Sequence, residues 1–155
     1  EIVGLMPGEL FVHRNIANQV IPSDMNCMTV LQYAVEVLRV RHVIVCGHYG
    51  CGGVRAALGR QSLGLIDNWL EHIKELYRRH VGTEADLSDP ARREDRLCEL
   101  NVIHQVHNVC HSPFVRAAWE RGQSLAVHGW MYALSDGLLQ DMNVCITGPH
   151  ELPDA

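Results

Sequence analysis

Apolar residues recur every three or four positions along several stretches of this chain, a spacing that predicts helices with one buried face. The first predicted helix starts at a cap supplied by Ser23 or Asp24 and continues to about Val40. Its apolar positions are Val30, Leu31, Ala34, Val35 and Leu38. Further helices are predicted over 63–80, 91–110 and 113–119, and an Asp-Pro pair and a Ser-Pro pair mark the starts of the last two.

Shorter apolar runs predict the strands. The run from Val43 to Cys46 ends at Gly47, and its continuous apolar character favours a buried parallel strand over an edge strand. A brief strand is expected over 10–12, an alternating strand over 124–134 and a last, edge strand over 138–147. Together these elements predict an α/β fold, with a mostly parallel β-sheet flanked by helices.

Length and composition narrow the class of protein. A chain of 155 residues that is 47% hydrophobic can bury one substantial core, so 1–155 is expected to form a single domain. A net charge of −5 supplies no basic surface for nucleic acid. No apolar run approaches the roughly 20 residues of a membrane-spanning helix. The six cysteines are scattered, which favours reduced thiols and a cytoplasmic setting.

Candidate metal ligands follow the apolar run at 43–46. His48 and Cys51 lie in a glycine-rich turn, and their spacing allows an imidazole and a thiolate to converge on one metal ion. Zinc is the first candidate because it accepts mixed nitrogen and sulfur ligands. A helix is expected to begin near Gly52. The alternative is a strand-to-helix turn with an incidental histidine and cysteine, since two ligands do not hold zinc on their own.

The segment 43–54 resembles the zinc loop of the β-class carbonic anhydrases. Other parts of the chain agree: 7–18 is similar to the family's second strand and the loop after it, 32–38 to its next helix, and 127–132 to a late strand. The resemblance extends from Glu1 to about Leu139. It implies the fold of that family.

The resemblance also implies an activity, the reversible hydration of carbon dioxide to bicarbonate and a proton at a zinc ion. His48 and Cys51 would be two of three protein ligands of that zinc. The backbone N–H groups of Gly52 and Gly53 would lie near Cys51 or the substrate.

Regulation and assembly are implied in the same way. In the bicarbonate-regulated members of the family, an arginine and a tyrosine help to hold a non-catalytic bicarbonate, and Arg14 and Tyr132 match these positions. The family assembles as dimers or tetramers, so a homodimer or homotetramer is expected.

One family motif is expected upstream of this sequence. The family carries a C-x-D-x-R segment on its first strand, and the cysteine of that segment is the third protein ligand of the zinc. Cys27 is the first cysteine here, and its surroundings do not match the motif. We therefore expect this chain to be the downstream part of a longer protein.

Three other functions are compatible with parts of the pattern. One is a binding or structural function, in a carbonic anhydrase-like domain that is catalytically incomplete because it lacks the first zinc ligand. A related zinc hydrolase, such as a carbon disulfide hydrolase, would use a similar site. A thiol redox function of Cys46 and Cys51 is disfavoured because their spacing is C-x-x-x-x-C rather than C-x-x-C.

A second group of histidines lies in the predicted helix at 91–110. His104, His107 and His111 are spaced to fall on one side of that helix, which raises the hypothesis of a second metal site. Solvated or interface histidines explain the same spacing. No acidic or cysteine partner completes the group except Cys110, which faces another side of the helix.

Overall fold

A three-stranded sheet is the centre of the computed structural model, which describes residues 2–81 and 89–152. Strand β1 (His42–His48) pairs in parallel with β2 (Ala126–Ala133), and β2 pairs antiparallel with β3 (Leu138–Ile146). The strand order is β1-β2-β3. The α/β fold predicted from the sequence is confirmed, and the described part of the sheet is mixed.

All the predicted helices form. They are α1 (Met25–Gln32), α2 (Gly52–Leu58), α3 (Ile66–Leu76), α4 (Pro90–His111) and α5 (Pro113–Glu120). Five-residue π-helical turns, Tyr33–Val37 and Tyr77–Val81, extend α1 and α3. Carboxylate caps start two of the helices: Asp24 accepts from the Asn26 N–H at 3.1 Å, and Asp89 accepts from the Ala91 N–H at 3.0 Å. The polar loop expected at 82–88 lies outside the described residues.

Helix α4 covers one face of the sheet. Val102 and Val106 of α4 are fully buried, and they pack so closely on the strands that a Cβ added to Gly129 would lie 3.1 and 3.3 Å from them. On the face of β1 toward α4, Val45 and Gly47 are buried and Val43 is partly buried, whereas Ile44 and Cys46 on the opposite face are exposed.

The prediction that the 43–46 strand is buried rather than at an edge is therefore wrong for the described structure. Among the described strands, β1 pairs only with β2, so it stands at an edge. Helix α4 packs against one face of β1 only, and the side chains of β1 therefore alternate between buried and exposed positions.

The brief strand predicted over 10–12 is also absent. The side chains of Leu10, Phe11 and Val12 are 47%, 49% and 58% exposed, and their segment runs without strand pairing into a 3-10 turn, Ile16–Asn18. A strand requires the hydrogen bonds of a neighbouring strand, and none of the described residues supplies one. The Phe11 ring instead lies 6.0 Å from the Tyr33 ring.

The histidines of α4 do not form the second metal site that their spacing suggested. In the part of the chain that the structure describes, no three His, Cys, Asp or Glu side chains are placed to hold one metal ion. The Nδ1 of His111 lies 2.7 Å from the His107 carbonyl oxygen, so His111 caps the end of its own helix. Burial, followed by the neighbouring charge of His107, lowers the pKa of His104.

None of the described helices is both long enough and apolar enough to cross a bilayer.

The close contact between Gly47 and α4 leads to a stability prediction. A Cβ at Gly47 would lie 2.5 Å from Val102 Cγ2 and 3.0 Å from Met131 Sδ. A valine in a helix has essentially one rotamer, so it cannot turn away. We expect Gly47→Ala to lower the free energy of unfolding by about 1–3 kcal/mol, the usual cost of overpacking a core.

Urea unfolding of the two glycine variants tests this. Gly52→Ala is the matched control, because a Cβ at Gly52 meets nothing within 4 Å. Equal unfolding midpoints for the two variants would contradict the packing of β1 against α4.

Candidate metal centre

The turn between β1 and α2 carries both candidate ligands. His48 is the last residue of β1 and is half-buried, and Cys51 is 5% exposed and directly precedes α2. Gly50 between them has a φ of +67°, a conformation that favours glycine. The Arg55 N–H donates to the Cys51 carbonyl oxygen at 2.9 Å and closes the first turn of α2. The helix begins at Gly52, as the sequence predicts.

The His48 ring is held in one tautomer. Its Nδ1 lies 2.9 Å from the Tyr49 carbonyl oxygen. Because a carbonyl oxygen only accepts hydrogen bonds, Nδ1 carries the proton and Nε2 keeps its lone pair. Metal-bound histidines commonly have this arrangement, in which the other ring nitrogen donates to a carbonyl or carboxylate. The ring of His48 is therefore prepared to bind a metal through Nε2.

Cys51 lies beside a second cysteine, Cys98 of α4. Burial is the main reason that the pKa of Cys98 rises to about 12. Cys98 is therefore a neutral thiol next to the turn. Cys98 was not among the site residues predicted from the sequence. The available signal was its position beside Leu97 in the apolar pattern of α4.

Tyr49 connects the same turn to α4 and to β2 by hydrogen bonds. Its hydroxyl donates to Glu99 Oε1 at 3.0 Å, and its N–H donates to the Tyr132 carbonyl oxygen at 3.2 Å. Burial, followed by the hydrogen bond to Glu99, raises the pKa of Tyr49 to about 12. The side chain is thus a neutral hydrogen-bond donor that fixes the turn between two ligands.

The segment at 15–20 packs against the start of α2. A Cβ at Gly53 would lie 3.0 Å from Ile16 Cγ2 and 3.1 Å from Ala17 Cβ. Buried amides of α4 hold this segment: Asn101 Nδ2 donates to the Ala17 carbonyl oxygen at 2.8 Å, and Gln105 accepts from the Val20 N–H at 2.9 Å. These two side chains were also missed, although their i, i+4 spacing among apolar positions of a helix is a readable signal.

The two residues suggested for bicarbonate differ in how the structure places them. Tyr132 lies directly opposite His48 in the parallel register of β1 and β2, so it is next to the metal turn. Arg14 is exposed in the segment before the 3-10 turn. Its role together with Tyr132 stays a prediction.

His48 and Cys51 have no third metal ligand within 2–81 and 89–152. No other His, Cys, Asp or Glu of these ranges joins them in a group that could hold a metal ion. The described residues therefore provide two candidate ligands in one turn, one nitrogen and one sulfur.

Comparisons with known proteins identify the family. A family model described as carbonic anhydrase matches residues 1–139. The structure of a Coccomyxa β-carbonic anhydrase in complex with acetazolamide superposes with a TM-score of 0.91 at 40% sequence identity, over 97% of this chain and 68% of that chain. The chain belongs to the β-class carbonic anhydrase family. The resemblance drawn from the sequence is confirmed.

Two further relatives show how much of the family's length is present. A carbonic anhydrase of Emericella nidulans is 46% identical over 148 residues, which are 96% of this chain and 65% of that protein. One of two tetrameric β-carbonic anhydrases of Sordaria macrospora superposes with a TM-score of 0.86 at 36% identity, over 94% of this chain and 74% of that chain. The chain thus spans just under two thirds of the Emericella carbonic anhydrase.

The residues present fit the zinc that this family implies. An imidazole with its Nε2 lone pair free and a buried cysteine three positions later are the donor types that zinc takes in mixed sites. The carbonyl that holds Nδ1 of His48 is the outer partner expected of such a ligand.

Proposed function

We propose that this chain carries out the zinc-dependent, reversible hydration of carbon dioxide to bicarbonate and a proton. The observation that carries the proposal is the His48 ring, whose Nδ1 is held by the Tyr49 carbonyl oxygen so that Nε2 is left for a metal. Cys51 adds a thiol from the same turn. Membership of the β-class carbonic anhydrase family supports the activity.

His48 and Cys51 would hold the zinc ion together with a cysteine of the family's upstream segment. When bound, zinc lowers the pKa of a coordinated water to about 7 and so supplies hydroxide at neutral pH. The protein's part is to keep the two ligands in place. The Tyr49–Glu99 hydrogen bond does this, because it anchors the turn to α4.

The backbone at the start of α2 would face the substrate. The first N–H groups of a helix have no acceptor within the helix, so those of Gly52 and Gly53 are available to an oxygen that gains negative charge. A Cβ at Gly52 would meet no atom within 4 Å, which leaves room for a small molecule to approach the backbone.

Arg14 and Tyr132 would hold a regulatory bicarbonate. The position of Tyr132 opposite His48 supports this, because an anion bound there would lie beside the metal turn. The test is the rate of carbon dioxide hydration as bicarbonate is added to the parent, to Arg14→Ala and to Tyr132→Phe. Weaker inhibition in both variants is expected, and unchanged inhibition would rule out this site.

The chain would function as a homodimer or homotetramer. Large apolar side chains are exposed near the start of the chain and along α1 and its extension, among them Met6 at 70%, Met25 at 67% and Val37 at 61%. An exposed apolar surface of this kind commonly marks an interface. The Sordaria relative is described as tetrameric. Light scattering should give a multiple of the 17.4 kDa chain mass, and a stable monomer would contradict the proposal.

A cytoplasmic location is proposed as well. All six cysteines are free, and four of them are buried. Reduced thiols of this kind persist most readily in the cytosol. Cell fractionation tests this, and recovery in the secreted fraction would contradict it.

The activity is tested by zinc per chain and carbon dioxide hydration, measured on the parent and on His48→Ala. We expect the variant to lose both, because alanine removes a metal ligand. His111→Ala is the control, since its ring is exposed and caps α4. A parent with neither zinc nor activity would instead favour a catalytically incomplete domain. Zinc uptake with hydrolysis of carbon disulfide, but no hydration of carbon dioxide, would favour the related hydrolase.

A further inference from the structure

Two histidines meet on the open face of the sheet, at the end opposite the metal turn. His42 begins β1, and His128 lies in β2, where the register places it opposite Ile44. Side chains two positions apart on a strand share a face, so His42, Ile44 and His128 point to the same side of the sheet. His42 and His48 are separated by six strand positions, which is roughly 20 Å along β1.

The two imidazole rings share a hydrogen bond. Nδ1 of His42 lies 3.1 Å from Nε2 of His128, and the ring centroids are 5.3 Å apart. A metal ion bound to both nitrogens would replace this hydrogen bond, and the shared proton would move to the other nitrogen of its own ring. Two nitrogens that each lie about 2.0–2.1 Å from one metal ion are about 2.8–3.4 Å apart when the nitrogen–metal–nitrogen angle is between the square-planar and the tetrahedral value. The observed separation falls within that range.

The groups around His42 and His128 favour the binding of a cation by the pair. Burial, followed by the neighbouring His42, lowers the pKa of His128, while Asp141 opposes the shift. This shift favours the neutral form of the His128 ring, which is the form that binds metals. Cys145 of β3 is exposed and lies directly opposite His128 in the antiparallel register, on the same face. This face thus presents nitrogen, sulfur and carboxylate groups.

We propose that His42 and His128 form a second metal site, which binds a divalent transition-metal ion through their facing nitrogens. No third His, Cys, Asp or Glu of the described ranges completes a preformed group, so water fills the remaining positions. A site of two imidazoles and water suits Cu²⁺ and Ni²⁺, which favour nitrogen ligands in tetragonal geometry and rank above most first-row ions in affinity. This site is separate from the metal turn and goes beyond carbon dioxide hydration.

Trp130 provides a local signal for the test. Its ring centroid lies 6.2 Å from that of His128, and a paramagnetic ion held by the pair would quench its fluorescence. NiCl₂ is the probe because it does not oxidise thiols. The protein is the His48→Ala variant, in which the metal turn has lost a ligand, and binding is followed by calorimetry and by tryptophan fluorescence.

We expect one Ni²⁺ per chain with quenching, and at least a tenfold weaker affinity when His42→Ala or His128→Ala is added. His150→Ala is the control, because it removes an exposed histidine far along the sequence. Trp130→Phe should remove most of the quenching while the calorimetric affinity is unchanged. The proposal is overturned if no Ni²⁺ binds, or if His42→Ala and His128→Ala bind it as tightly as the His150→Ala control. Circular dichroism of each variant shows that the comparison is made between folded proteins.

Discussion

Replacing Cys51 with serine is expected to empty the metal turn and to lower the rate of carbon dioxide hydration by about a hundredfold or more. Serine has nearly the size of cysteine, so the buried position before α2 stays filled. Its hydroxyl, however, is not among the groups that hold zinc in proteins, which are thiolate, imidazole and carboxylate. The substitution leaves the Tyr49–Glu99 hydrogen bond in place, so the fold should survive.

The matched control is Cys46→Ser. Cys46 lies five positions earlier in the same strand-to-helix unit, but its side chain is exposed on the open face of β1. We expect this variant to keep the zinc content and the rate of the parent. If Cys46→Ser and Cys51→Ser lost activity equally while zinc was retained, the two cysteines would act together as a redox pair. The proposed metal chemistry would then be wrong.

The largest loss of stability away from the metal turn is expected for Gln105→Leu. Gln105 is 2% exposed, and its side chain accepts from the Val20 N–H and donates to Asn101 Oδ1, both at 2.9 Å. Asn108 Nδ2 also donates to it at 2.9 Å. Leucine fills the space but bonds to none of these groups. An unsatisfied buried polar group costs about 1–3 kcal/mol, and we expect a total loss of about 3 kcal/mol.

Denaturant unfolding followed by circular dichroism measures this loss. Gln61→Leu is the control, since Gln61 is exposed between α2 and α3 and the substitution there should change stability by less than about 0.5 kcal/mol. The loss should also reach the metal turn, because the segment that Gln105 holds contacts Gly53. A Gln105→Leu protein as stable as the control would show that the amides of α4 do not hold the segment at 15–20.

The sequence by itself determined the features that depend on neighbours along the chain. Helices α1 and α4 start where Asp24 and Asp89 cap them, because a cap bonds to an N–H two residues later. His48 and Cys51 share one turn because only two residues separate them, and α2 starts at Gly52 for the same local reason. The same contiguous string carried the family resemblance.

Only the tertiary structure decided which distant groups support that turn. Glu99 meets Tyr49 across 50 positions, and Gln105 meets Val20 across 85. Such contacts depend on how α4 lies against the sheet. The spacing of apolar residues predicts that a helix has a buried face, but it does not predict which residues that face contacts. The same limit explains the errors at 10–12 and in β1. An apolar run indicates that a segment can form a strand. Whether the segment pairs with another strand, and whether a helix buries its faces, depends on other parts of the fold. The contact of His42 with His128 likewise exists only because β1 and β2 pair in their particular register.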